Sequence, residues 1–436
     1  MKSTLSLFSS ILFVLFSCLS SFSYPASHLS VSNDDIKGTW EGTLGGVLRI
    51  VIRISASDSG YLKAEMDSPD QKVYGLHCDT VIFDGSNITL KLKMASAYFE
   101  GKYNPDSISF VGIWYQNMAT TPLTIKKVNN VKEINQPLKP KSLLPDEVSI
   151  EVNGFRLVGT LKVPKSDKPV DVALIIAGSG PTDRDGNSPL IPGKNNSLKM
   201  ISELLYNNNI ASLRYDKRGI GASDKVDESG LTFDTYINDA VEWVKYLKND
   251  KRFSKIIIIG HSEGSLIGMI AAEQTGIDKF VSLCGPGEPI YLTLEKQFKD
   301  SKMQQGTYNY CAAIIDSLRA GHPVINIDSN LSAYFRPSVQ PYLISWFKYD
   351  PSIEISKLTI PVLIVEGTTD LQVTGRDAEM LSKSSSNSSL KIIENMNHIL
   401  KYEPSLDRKV NFESYSNPDL ALPDTLSNVL LEFIKE

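Results

Sequence analysis

Along the 436 residues the spacing of apolar side chains changes character twice. From about 34 to 128 they come in short runs separated by glycine, Asp-Gly and Asn-Pro turns: 46–54, 61–67, 81–83, 88–94, 97–103, 107–115 and 122–128. No stretch there holds a helical period. Short strands at that spacing predict a small all-β domain over 34–130, a barrel or a sandwich. Residues 131–146 turn to lysine, proline and short polar groups, with Pro137, Pro140 and Pro145, and predict an extended connection. Past it, the runs 172–176, 210–213, 256–259, 280–283 and 362–365 are wholly apolar, as strands buried on both faces are. Between them 234–248 repeats Ile237, Ala240, Val241, Val244 and Leu247 at helical spacing. This alternation predicts an α/β domain over 147–436, a mostly parallel sheet with helices on both faces. The strand pattern lapses at about 286–350, where 294–303 and 308–318 read as helices, so a helical cap is expected there.

The first residues stand apart. Lys2 precedes an apolar stretch at 11–16, and Ser21 and Ser23 offer small residues for cleavage, so 1–23 reads as a signal peptide. Export to a periplasmic or extracellular space is expected, with lipid anchoring through Cys18 as the weaker alternative. No membrane-spanning segment is expected after the leader. The 45 basic and 50 acidic side chains are scattered, which argues against a nucleic-acid partner. Beyond the leader only Cys78, Cys284 and Cys311 remain, an odd number without metal-ligand spacing, so neither a disulfide framework nor a zinc site is indicated.

One strand carries candidate chemistry. The apolar run 256–259 leads directly into Gly260-His261-Ser262-Glu263-Gly264 and then into helix-forming residues, read as an amphipathic helix. A sharp strand-to-helix turn crowds its central backbone, so glycines flank Ser262 and its hydroxyl is held out at a helix N-terminus. A serine hydroxyl needs a base to take its proton. Of five histidines, His28 lies by the leader, His77 in the β domain, His322 in the cap and His261 inside the turn, where its side chain should leave on the far side of the backbone. His398 remains, a short loop after the strand-like 390–393. The carboxylate that orients it is expected to be Asp370, at the end of the strand-like 361–369; Glu366, within that strand, is a rival, and Asp370 as a mere helix cap near Gly375 is the bland alternative. The chain order Ser262, Asp370, His398 suits such an elbow.

Attack on a carbonyl creates an oxyanion that needs two placed N–H donors. The backbone of Glu263 is one candidate. The other comes from Ala177-Gly178-Ser179-Gly180-Pro181, with Ser179 preferred, Gly180 its neighbour in contention, and Pro181 excluded for lack of an N–H. Asp183, Arg184 and Asp185, and Asp216 with Arg218, are read as ion pairs that pin loops. Tyr334, Phe335, Trp346 and Phe347 are aromatic candidates for shaping a pocket under the cap, or simply for packing it down.

Residues 177–187, 214–223 (Arg-Tyr-Asp-Lys-Arg-Gly-Ile-Gly-Ala-Ser) and 260–264 together resemble an esterase-type branch of the α/β-hydrolase superfamily, from about Glu147 to the C-terminus. One departure is Ala177, where many relatives carry histidine. Residues 36–42 followed by 68–71 resemble the barrel domain that precedes hydrolases in some exported bacterial proteins. The resemblance implies a carboxylesterase-type enzyme acting on a small-molecule ester through an acyl-enzyme, without metal or organic cofactor. The same three residues would serve a peptidase or an acyltransferase. A non-catalytic binding module is the alternative of another class, against which the complete Ser262, Asp370 and His398 set argues.

Overall fold

The computed structural model describes residues 31–436 apart from 46–47, 58–60, 70–72, 93–96, 117–118, 129–142, 190, 192 and 302. The leader read at 1–23 and most of the connection read at 131–146 lie outside the described residues. The described residues form two compact units, one carrying the strands between Gly38 and Val128, the other comprising Leu143–Ile327 and Tyr334–Glu436.

The first unit is one antiparallel sheet of β1 (Gly38–Leu44), β2 (Leu48–Ala56), β3 (Leu62–Ser68), β4 (Val73–His77), β5 (Thr80–Phe83), β6 (Asn87–Leu92), β7 (Ala97–Asn104), β8 (Ser109–Gln116) and β9 (Ala119–Val128). Its order is β4-β3-β2-β1-β9-β8-β7-β6-β5, a curled half-barrel rather than a sandwich. Alternate side chains point inward, and the core forms around Trp40, Phe99 and Phe110 with Ile50, Ile52 and Leu90. The Trp40 indole N–H donates to the carbonyl of Ile36 at 2.8 Å, so the largest buried ring leaves no polar atom unpaired. Strands β1 and β4 fall outside the apolar runs. In β1 the reason is Gly42, where a Cβ would sit 2.3 Å from the Thr124 carbonyl, so close pairing to β9 replaces an apolar side chain.

The second unit is an eight-stranded sheet, β10 (Glu147–Val152), β11 (Phe155–Lys162), β12 (Val170–Ile176), β13 (Ala211–Tyr215), β14 (Phe253–His261), β15 (Lys279–Leu283), β16 (Val362–Gly367) and β17 (Ser388–Ile393), in the order β10-β11-β13-β12-β14-β15-β16-β17. From β13 onward every pairing is parallel; β10 and β11 add an antiparallel hairpin at the edge. Both faces are covered, as expected. Val172, Leu174 and Ile176 of β12 pack with α2 (Phe233–Lys248) and α3 (Glu263–Thr275), while Ala173 and Ile175 pack with α1 (Ser197–Asn207) and the C-terminal helix Asp424–Lys435. Helix α2 starts where Thr232 and Thr235 exchange bonds in a capping box.

Helix α3 departs from expectation. It is buried at every position from Glu263 to Ala272, so it is a core helix and not an amphipathic one. Gly268 allows this, since a Cβ there would come 2.9 Å from Ile258. Between β15 and β16 lie the inserted helices α4 (Ile290–Asp300), α5 (Gln305–Arg319), α6 (Ser332–Phe335), α7 (Gln340–Trp346) and α8 (Pro351–Ser356). Trp346 stacks on Phe233 with ring centroids 5.3 Å apart, and Phe335 packs against Phe298, so these cap aromatics act in packing. Among the described residues no helix is long and apolar enough to cross a membrane.

Candidate active site

The parallel strands end along one edge, and the candidate residues gather there. β14 turns into α3 through Ser262, whose φ of 54° and ψ of −124° lie in a region that side chains rarely occupy. The strain is held by close packing on both sides. A Cβ on Gly260 would fall 2.2 Å from the Gly264 carbonyl, and one on Gly264 would fall 2.4 Å from that of Ile176. Two ladder bonds extend the sheet past the turn: Ser262 N–H donates to Leu283 at 2.9 Å, and Cys284 N–H to Val365 at 2.9 Å.

The structure brings Ser262, Asp370 and His398 together across 136 residues of chain. His398 Nε2 lies 3.1 Å from Ser262 Oγ, and its Nδ1 lies 2.7 Å from Asp370 Oδ2. The other Asp370 oxygen accepts backbone N–H groups of Gln372 at 2.7 Å and Val373 at 2.9 Å, which fixes the carboxylate without its capping a helix; Thr374 caps α9 (Gly375–Ser384) instead. Burial pushes the Asp370 carboxyl up, but the facing His398 ring and those N–H donors outweigh it and hold the group below its usual range. With Nδ1–H turned to a carboxylate, Nε2 is left to accept from the serine. The rival Glu366 does not reach His398. It is fully buried, accepts the N–H of Gly367 at 2.9 Å, and is held well above the usual carboxyl range by burial and by the neighbouring Asp370 charge.

The His261 ring lies 5.0 Å from that of His398, centroid to centroid. Its Nε2 is 2.7 Å from the His398 carbonyl oxygen, an acceptor only, so this nitrogen carries the proton and braces the loop that presents His398. Burial, then the adjacent His398 ring, lowers its pKa from 6.5 to about 4. In the unfolded chain His261 is protonated first as pH falls, so its contribution to stability is intact above 6.5 and is lost between 6.5 and 4. His261→Gln, which keeps a donor for the His398 carbonyl, is expected to remove this component: between pH 7 and 4 the parent should lose about 3 kcal/mol more unfolding free energy than the variant. Parallel pH profiles from denaturant titrations would show that His261 is not the group responsible.

Glu263 is the first residue of α3, so its N–H has no acceptor within the helix. Ser179 is exposed and follows Gly178, where a Cβ would lie 3.1 Å from that of Ser262. Reasoning from sequence singled out no role for Lys217. This side chain, 1% exposed, reaches from the end of β13 to the Gly178 carbonyl at 2.6 Å and to Glu263 Oε1 at 3.5 Å. The loop ion pairs form, but with other partners than those read, and Asp183 instead accepts the backbone N–H groups of Asp185 and Asn187 at 2.9 Å each. Arg184 binds Asp216 and Glu147, and Arg214 binds Asp185, whereas Arg218 binds Asp239 at 2.6 Å and not Asp216, because it turns inward beneath β10 to meet Val152 O. Asp216 also accepts the Ala222 N–H at 2.8 Å and closes its own turn.

The Hydrolase_4 family, described as "Serine aminopeptidase, S33", matches residues 194–287. The protein named Esterase EstD from Thermotoga maritima is 29% identical over 272 residues, 62% of this chain and 63% of its own; the match thus spans less than two thirds of that curated relative. Among solved structures, Est1E of Butyrivibrio proteoclasticus with bound ferulic acid is 21% identical with a TM-score of 0.46, covering 66% of this chain and 100% of that one. The esterase EaEST of Exiguobacterium antarcticum is 14% identical with a TM-score of 0.41, covering 65% and 97%.

Proposed function

We propose that this member of the esterase-type branch of the α/β-hydrolase superfamily cleaves carboxylic esters of small molecules through an acyl-enzyme formed on Ser262. The observation that carries the reading is the continuous path from Ser262 Oγ to His398 Nε2 at 3.1 Å and from His398 Nδ1 to Asp370 at 2.7 Å. Ser262 Oγ bonds to the ester carbonyl carbon while His398 takes its proton, and the carbonyl π pair moves onto oxygen. The N–H groups of Ser179 and Glu263 receive that oxyanion. The pair then returns, the carbon–alkoxy bond breaks, and His398 passes its proton to the departing alcohol. Water repeats the sequence on the acyl-enzyme, releasing the acid and restoring Ser262. Asp370 keeps the ring in the required tautomer and stabilises its charged form.

A second reading, a peptidase on the same residues, is favoured by the description of the family matched at 194–287. A fluorophosphonate probe followed by peptide mapping, together with turnover of aryl esters of rising acyl length beside aminoacyl amides, separates the two. The ester reading expects one labelled serine, Ser262, and ester turnover well above amide turnover. Amide turnover equal to or above that of the matched ester would make the protein a peptidase, and labelling that spares Ser262 would remove both readings.

A further inference from the structure

We infer that Lys217 is a positioning residue for the oxyanion site, acting through the peptide unit that presents the Ser179 N–H. The inference rests on the serine-hydrolase reading above. A peptide unit is planar, and its C=O and N–H point in opposite directions. The carbonyl of Gly178 and the N–H of Ser179 belong to one such unit, so whatever holds the oxygen also aims the hydrogen. That oxygen accepts from Lys217 Nζ at 2.6 Å. A cationic donor on the oxygen draws electron density from the nitrogen and strengthens the N–H as a donor, more so where water is absent. Lys217 is 1% exposed and lies over the ring of Tyr236, 5.2 Å from its centroid.

The same ammonium lies 3.5 Å from the carboxylate of Glu263, the residue that offers the second N–H, and that side chain is 2% exposed. One buried cation therefore touches the peptide unit that presents the Ser179 N–H and the side chain of Glu263. It bridges the β12 and β14 ends at the place where Gly178 closes on Ser262, where an added Cβ would come within 3.1 Å of the Ser262 Cβ. A site aimed in advance costs no reorganisation when the charge develops. At 1% exposure Lys217 is shut off from the site a substrate would enter, so its effect belongs in the transition state and not in substrate binding.

The test compares a trifluoromethyl ketone with the methyl ketone of the same shape. Ser262 adds to the fluorinated carbonyl, the oxygen–carbon bond forms, the π pair becomes an oxyanion and the proton passes to His398; the methyl ketone binds without this step. Lys217→Met is expected to lower kcat by about 10–100-fold with KM within about threefold, a smaller loss than removing an oxyanion donor outright. Trifluoromethyl ketone affinity should fall by the same factor as kcat/KM, with methyl ketone affinity unchanged. A folded variant with parental affinity for the trifluoromethyl ketone overturns the inference, as does equal loss for both ketones. Lys217→Met strands the Glu263 carboxylate, and if it does not fold, Lys217→Met with Glu263→Gln removes both charges and is expected to give the same split. Failure of that pair to fold assigns Lys217 to stability alone and also overturns the inference. Failure of the underlying reading looks different: the parent itself would not bind the trifluoromethyl ketone more tightly than Ser262→Ala does.

Discussion

Ser262→Ala and His398→Ala are each expected to lower kcat for an aryl ester by about 10⁴–10⁶-fold, and the double variant to be no slower than the worse single one. The three side chains work as one unit: without His398 the Ser262 hydroxyl keeps its proton, and without Ser262 the imidazole has nothing to activate. His398 Nε2 at 3.1 Å from Ser262 Oγ leaves no space for a water to relay between them. Asp370→Asn should cost about 10⁴-fold, because an amide that turns its NH2 toward Nδ1 forces the proton onto Nε2, the nitrogen that must accept. Thermal midpoints measured alongside separate chemistry from folding. Losses that multiply in the double variant would mean that Ser262 and His398 act in different steps.

Gly264→Ala is the second large effect. Its Cβ would stand 2.4 Å from the carbonyl oxygen of Ile176 and 2.6 Å from that of Ala177, and both are backbone atoms at the buried end of β12. Neither can rotate away, so α3 must lift and carry Ser262 and the Glu263 N–H with it. A displacement near 1 Å at a reacting centre costs about 100-fold, and overpacking of this kind costs about 1–3 kcal/mol. We expect kcat/KM to fall at least about 100-fold, fluorophosphonate labelling of Ser262 to slow in parallel, and the denaturation midpoint to drop. Gly306→Ala, where a Cβ meets nothing within 4 Å, is the control and should leave all three unchanged. Parental labelling in Gly264→Ala would show that the elbow can relax without losing its geometry.

The strands that bear Ser262 and Asp370 were legible because they are buried on both faces and are therefore apolar over their central positions: 256–259 and 362–365 announce themselves, and the residues that follow them sit at the sheet edge by necessity. The hairpin of β10 and β11 was harder to see. It is half-buried and its apolar pattern is weak, though the Asn153-Gly154 turn, with φ of 51° and 78°, is a two-residue hairpin signal in plain sight. Helix α3 was misjudged because periodicity reports amphipathicity only when one side faces water, and here sheet and helices enclose it. The Arg218–Asp239 pair and the grip of Lys217 on Gly178 depend on which way long side chains turn at the end of β13. Closeness in sequence, Asp216 with Arg218, gave the wrong partner there, because Asp216 is taken by Arg184 from the preceding loop while Arg218 reaches Asp239 on α2.

The elbow, the acid and the base hang from the ends of β14, β16 and β17, and the N–H of Ser262 is itself tied to β15 through Leu283. No local segment of the chain holds a working serine, since the nucleophile, its proton acceptor and the carboxylate meet only when four strands have found their neighbours. A preparation of this protein therefore carries its own quality gauge: the moles of Ser262 that an irreversible active-site titrant consumes count the molecules whose central sheet is correctly assembled, whatever the total protein concentration says.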